Sequence, residues 1–395
     1  MQGKRLSVAY NWDPAMIEEI VKNDYPVKDL YASAQQTFIG GGRPSSVLPE
    51  TTEATIKDQI RQMHDNNIEF TYTLNAPCMG GQEYLPKEHA RMIKELQWIA
   101  NIGCDGVVLT IPYLMEIVKK QFPQLKIRVS TIAKVNTVNK AKYFEAMGVN
   151  SITPDVMINR NFKILEKMVK ATNCEINLLV TDGCLYECPY RLYHYNLCGH
   201  ASQLNSNPDA YYDYPVIGCS LEKLSKPAEV MKCRWVRPED LNEYEAIGIN
   251  SFKIGGRRLT TEKIMESVKA YSDEKYEGNL ADIVEGFTFA TGGVKDDPVP
   301  DQADVQGSER KPKIYIDNTK LDGFINFFKT QDCAANCDEC SYCEEWGKKA
   351  VTTSKISADV FSIYLESLHE RLVTSQLFST EKHGREAGRK KRRGN

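Results

Sequence analysis

Twelve cysteines stand in this 395-residue chain, and they are unevenly spaced. Cys78, Cys104 and Cys174 are single, five fall between Cys184 and Cys233, and four crowd into Cys333–Cys343. The apolar run after MQGKR is short, ends in polar residues and lacks a small-residue cleavage site. It reads as a first strand, not an export signal, so the default compartment is the cytoplasm. Thiols are kept reduced there, and clustered cysteines then point to metal and away from disulfides.

The C-terminal quartet, Cys333-x3-Cys337-x2-Cys340-x2-Cys343, puts four thiolates within eleven residues. A [4Fe–4S] cube needs one soft ligand per iron, and closely spaced cysteines supply that set. Structural zinc is the other soft-site reading, but zinc modules usually separate a pair of C-x2-C knuckles by a dozen or more residues. The continuous spacing favours the cluster. The first three cysteines also match the spacing of radical S-adenosylmethionine enzymes. Those carry the triplet early in the barrel and leave one iron free. Here it comes late and has a fourth cysteine, so radical chemistry is set aside.

These groups need a frame. Apolar residues make up 42% and charged residues 26%, with a formal net charge of −3, as in an ordinary globular protein without a chain-wide nucleic-acid surface. No stretch approaches the roughly 18 apolar residues of a membrane span. The first 258 residues alternate β-rich runs with helical patterns. The expected strands are Leu6–Tyr10, Asp29–Ser33, Phe70–Asn75, Gly106–Thr110, Ile127–Ile132, Ser151–Pro154, Ile176–Val180 and Ser251–Ile254. Helices are expected over Thr52–His64, Glu88–Ile102, Val138–Met147 and Phe162–Ala171. Gly103, Gly148 and Gly248 repeat one helix-to-strand loop design. Eight such units predict an α/β fold of the TIM-type (βα)8 class. An open doubly wound sheet is the alternative, weakened because no G-x-G-x-x-G follows the first strand.

The expected organisation is a barrel over 1–290, a linker over 291–313, a C-terminal iron–sulfur module and helix over 314–380, and a basic disordered tail over 381–395. The stretch Gly183–Glu239, before the last strand, breaks the rhythm with five cysteines. In a barrel it lies on the C-terminal face, where active sites are built. Asn11, Asn75, Thr110, Asp182 and Lys253 fall at strand ends on that face, with Arg257 just beyond. Lys253 and Arg257 suit a carboxylate or phosphate; an internal salt bridge to Asp182 or Asp155 is the structural alternative. Asn75, Asp182, Lys253 and Arg257 form the candidate substrate site. His194 and His200 flank Cys198 as acid–base candidates or structural histidines. No H-E-x-x-H or G-x-S-x-G motif supports hydrolysis.

Pro238-Glu239-Asp240-Leu241, the helix after it, and Ser251-Phe252-Lys253-Ile254-x-Gly256-Arg257 resemble the most recognisable block of the collagenase-like peptidase U32 family. The block's fifth position is commonly acidic there and is Gly255 here. The cysteine-rich turn after strand seven sits where that family's other signature falls, though Asn177 replaces its aromatic and the cysteines are more tightly spaced. The resemblance covers roughly residues 4–290. It implies a barrel [4Fe–4S] cluster on Cys184, Cys198 and Cys233; the Cys184-x3-Cys188 spacing, which puts both in one loop turn, makes Cys188 the fourth ligand, with Cys219 in reserve. With Cys333, Cys337, Cys340 and Cys343 this makes two clusters. The implied chemistry is oxygen-independent hydroxylation or another redox step on a small anionic molecule or modified nucleobase, with a redox partner protein. A U32-type peptidase and a non-catalytic electron-transfer or scaffold protein are the alternatives.

Overall fold

The computed structural model describes residues 3–204, 214–287, 312–331, 333 and 337–378. Most of the expected linker and the whole basic tail lie outside them. Eight parallel strands close a barrel in sequence order: β1 (Arg5–Ala9), β2 (Val27–Ala32), β3 (Glu69–Leu74), β4 (Gly106–Leu109), β5 (Lys126–Val129), β6 (Ser151–Ile152), β7 (Glu175–Leu179) and β8 (Ser251–Ile254). β8 pairs back onto β1, Lys253 opposite Ser7. The expected strand at 127–132 is shorter, because the chain turns at Ser130. Its hydroxyl accepts the Ile132 N–H and starts a 3₁₀ turn over Thr131–Ala133. Gly103, Gly148 and Gly248 take φ of 90°, 81° and 93°, a conformation that only glycine adopts without strain.

Strand residues alternate between two environments. Val8, Leu30, Phe70, Tyr72, Phe252 and Ile254 are fully buried in the apolar core. Their neighbours Ser7, Asp29, Thr71, Arg128 and Lys253 are polar and equally hidden. Ser7 Oγ donates to Asp29 at 2.9 Å, and Arg128 pairs with Asp29 at 2.7 Å and with Glu69 at 2.9 Å. TIM barrels usually fill this space with branched apolar side chains. A buried ion pair is weak evidence of stability, but breaking one by removing a partner is costly.

Between β7 and β8 the chain forms helices over Arg191–His200, Tyr214–Ser225 and Pro227–Lys232. After the barrel, β9 (Ile314–Ile316) and β10 (Val351–Thr353) pair antiparallel, flanking helices over Asn326–Thr330 and Tyr342–Ala350. The helix expected around Ser357–Leu372 runs over Lys355–Val373. This segment packs on the barrel's flank. Trp235 stacks on Phe324 with centroids 5.8 Å apart, and the buried Arg237 guanidinium reaches Asn318 and Asp322, both at 2.9 Å. No helix among the described residues is long and apolar enough to cross a membrane.

Candidate functional site

Two adjoining cavities open at the C-terminal ends of the strands. The first, of about 80 Å³, is the barrel mouth, and Asn75, Asp182, Lys253 and Arg257 all line it. Asn75 is held by Ser130 Oγ at 3.0 Å and by the Gly42 N–H at 2.8 Å. Arg257 is 9% exposed and donates to Ser33 Oγ at 3.1 Å. Asp155 pairs with Arg191 instead, and Asp182 accepts the Cys184 N–H at 2.8 Å. Arg257 therefore has no ion pair among the described residues. Burial pulls its guanidinium down to about 10, helped by the neighbouring Arg43 cation.

The second cavity, of about 170 Å³, is lined by the thiols of Cys184, Cys188, Cys198 and Cys219. It shares Arg43, Asp182, Tyr195 and Glu285 with the mouth. Cys233 is fully buried and does not line this cavity; its Sγ lies 3.2 Å from the Glu229 carbonyl. Lys223, 2% exposed, donates to the Gly286 carbonyl at 2.7 Å. Burial pulls its ammonium down, but Cys233, Cys219, Cys184 and Asp182 outweigh that and leave it raised. Burial and then Asp182 push the Cys184 thiol well up, and burial lifts Cys233 to about 11. His194 lines the same cavity, whereas His200 is exposed and lies 3.3 Å from Gln203. Asn11 and Thr110 serve loop structure: Asn11 bonds Leu259 and Thr261, and Thr110 bonds the Asn75 carbonyl.

Four residues here escape a reading of the sequence. Arg43 follows a run of three glycines, Gly40 to Gly42, beyond β2. That run is the available signal, since a Cβ on Gly42 would meet Ile132 at 2.7 Å, so the loop must press against the mouth. Glu285 pairs with Arg43 at 3.2 Å. A Cβ on Gly255 would lie 2.5 Å from Glu285 Oε2. A carboxylate from another loop thus lies against Gly255, the position commonly acidic in the resembled block. Tyr195 and Lys223 carry no pattern that could be read.

The quartet lies on the barrel's flank. Cys333, Cys337, Cys340 and Cys343 surround a cavity of about 270 Å³ with Lys232, Phe328 and Tyr342. Arg234 Nη2 donates to Cys333 Sγ at 3.3 Å, and its guanidinium lies 3.7 Å from the Tyr186 ring centroid. Arg160 lies beyond, stacked on Trp235 at 4.3 Å and donating to the Met231 and Trp235 carbonyls. Burial and Arg234 pull it down to about 10. Four cysteines thus line a cavity beside two buried guanidiniums. Among the described residues no group of three or more histidine, cysteine, aspartate or glutamate side chains is arranged to hold a metal ion.

A model of peptidase family U32 matches residues 32–187. An uncharacterized protease of Methanocaldococcus jannaschii, MJ1657, is 32% identical over 318 residues, covering 80% of this chain and 86% of that protein. Among solved structures, the U32 peptidase Mk0906 aligns at 20% identity with a TM-score of 0.45, over 54% of this chain and 83% of that one. The citrate synthase SbnG aligns at 10% identity with a TM-score of 0.34, over 68% and 91%.

Proposed function

This chain belongs to peptidase family U32, and from that premise we propose that it is an iron–sulfur enzyme carrying out a redox modification in the barrel mouth. Oxygen-independent hydroxylation of a small anionic molecule or a nucleobase is the specific reaction proposed. The observation that carries the reading is the thiol-lined cavity beside a cation-lined mouth, with Arg43, Asp182, Tyr195 and Glu285 common to both. A cluster bound there would supply one-electron chemistry within reach of a bound molecule.

The chain's own residues do the rest. Arg257 offers a bidentate fork to a carboxylate or phosphate, with Lys253 beside it in the mouth. Asp182 and Asn75 orient polar groups of the substrate, and the walls of the mouth keep bulk water from it. Ligands come from the five thiols of the insertion. Cavity lining argues for Cys184, Cys188, Cys198 and Cys219, and the family resemblance for Cys233 in the last place. The quartet would hold the second cluster. Its cavity of about 270 Å³ supports a cube over a single zinc ion, which four thiolates enclose at about 2.3 Å. Its flank position suits the passage of electrons to a redox partner protein, since hydroxylation with water as the oxygen source releases two electrons and two protons from the substrate.

Peptide hydrolysis has the names of the family and of the M. jannaschii relative behind it. Neither an H-E-x-x-H nor a G-x-S-x-G motif in the sequence supports it. The test is to titrate small carboxylates and phosphates into anaerobically purified protein and follow the electron paramagnetic resonance of the reduced sample. A signal perturbed by a bound anion, and lost in Cys184→Ala, is the expected result. Peptide cleavage by iron-free protein would overturn the reading.

A further inference from the structure

Lys253 sits near the C-terminal end of β8, 9% exposed, and lines the mouth cavity. Its Nζ lies 3.9 Å from the Tyr31 ring centroid and has no hydrogen-bond or ion-pair partner among the described residues. The nearby carboxylate, Asp29, is already engaged by Ser7 at 2.9 Å and Arg128 at 2.7 Å. Tyr31 is itself committed, donating to the Ile254 carbonyl at 2.9 Å. A buried amine with no acceptor, facing a cavity lined by Arg257 and Arg43 as well as by Asp182 and Glu285, is a setting in which lysine becomes a nucleophile.

We propose that Lys253 forms an imine with a small carbonyl compound that carries a carboxylate or phosphate, the anionic end lying on Arg257. Nζ adds to the carbonyl carbon, and the carbonyl oxygen takes the proton that the nitrogen sheds. The carbon–oxygen bond of this adduct then breaks as the nitrogen gives up its second proton, and the oxygen leaves as water. Amine and carbonyl become imine and water, with no oxidant or reductant consumed. Thr73 Oγ, buried and without a hydrogen bond, lines the same cavity and can hold the departing oxygen. The imine is a stronger electron sink than the carbonyl it replaces, so it prepares the neighbouring carbon for reaction.

Two further observations agree. Burial pulls the Lys253 amine down to about 7, which leaves a large share of it as free base at neutral pH. The mouth cavity of about 80 Å³ has room for the volume of two or three water molecules, so the carbonyl end must be small. The rest of the molecule extends into the adjoining cavity of about 170 Å³. The inference shares with the proposed function only the placing of the substrate in the barrel mouth, and requires no cluster.

The test is reductive trapping on the full chain. Protein is incubated with glyoxylate and cyanoborohydride at pH 7, and adducts are mapped by peptide mass spectrometry while iron is measured on the same sample. Lys253 should label at least about tenfold faster than exposed lysines, because its lowered pKa leaves a much larger share of it as free amine at pH 7. Excess acetate or inorganic phosphate should slow it, and Lys253→Arg should remove that adduct while leaving the circular dichroism spectrum unchanged. Labelling spread over exposed lysines with Lys253 unmodified would overturn the proposal, as would labelling of Lys253 only in unfolded protein. Labelling without iron keeps this inference and removes the cluster reading; iron without labelling does the reverse.

Discussion

The barrel thiols and the C-terminal quartet are assembled in opposite ways. The quartet takes its sulfurs from within eleven consecutive residues, and they line one cavity with Lys232, Phe328 and Tyr342. The barrel set takes them from the turn after β7 and from helices over Arg191–His200 and Tyr214–Ser225, so only the folded barrel brings them together. Their surroundings differ as well. Lys223, Asp182 and Glu285 stand by the barrel thiols, a mixture of signs. Arg234 donates directly to a quartet sulfur, with Arg160 beyond it. A thiol set built by the chain itself can be tuned by its flank. A set built by the fold shares Arg43, Asp182 and Glu285 with the barrel mouth.

The largest expected effect separates the two outright. Cys184→Ala should remove the barrel iron, about four per chain, and leave the quartet's; Cys343→Ala should do the reverse. Iron analysis checks this. Loss of all iron from either variant would mean one shared site. Cys219→Ala against Cys233→Ala then assigns the fourth barrel ligand.

The next prediction uses the barrel's dependence on its frame. Arg128→Met leaves Asp29 buried and unpaired, and should destabilise the fold by about 3–5 kcal/mol in a denaturant titration. Barrel iron should be lost earlier in that titration than quartet iron. Simultaneous loss would contradict the comparison.

Smaller effects lie at single side chains. Arg257→Lys keeps the charge but not the fork, and should weaken anion binding about tenfold by calorimetry with iron unchanged. Equal affinity would make Arg257 structural. Arg234→Gln removes the charged donor to Cys333 and should lower the quartet's reduction potential by on the order of 60 mV, leaving the barrel set's alone. A shift in both would mean that the two sites are electrically coupled through Tyr186.

The same contrast explains what is legible in the sequence. Strand alternation and helix-closing glycines place all eight strands within a few residues, β8 without error, because those signals are local. The strand expected at 127–132 is too long because the Ser130 turn depends on one hydroxyl. Asn75, Asp182, Lys253 and Arg257 are readable as strand-end residues, and they line one cavity. Arg43, Tyr195 and Glu285 are not, because they come from loops and a helix whose approach only tertiary packing decides. Gly255 is the instructive case. Read alone it is a missing acid, and in the fold it is the gap that Glu285 fills.

The most direct test of the account is an iron and acid-labile sulfide count on anaerobically purified protein, alongside a variant with Cys333, Cys337, Cys340 and Cys343 all changed to serine. The account predicts about eight iron and eight sulfide per chain in the wild type and about four of each in the variant. Protein that carries a single zinc, or a variant with no iron at all, would contradict it.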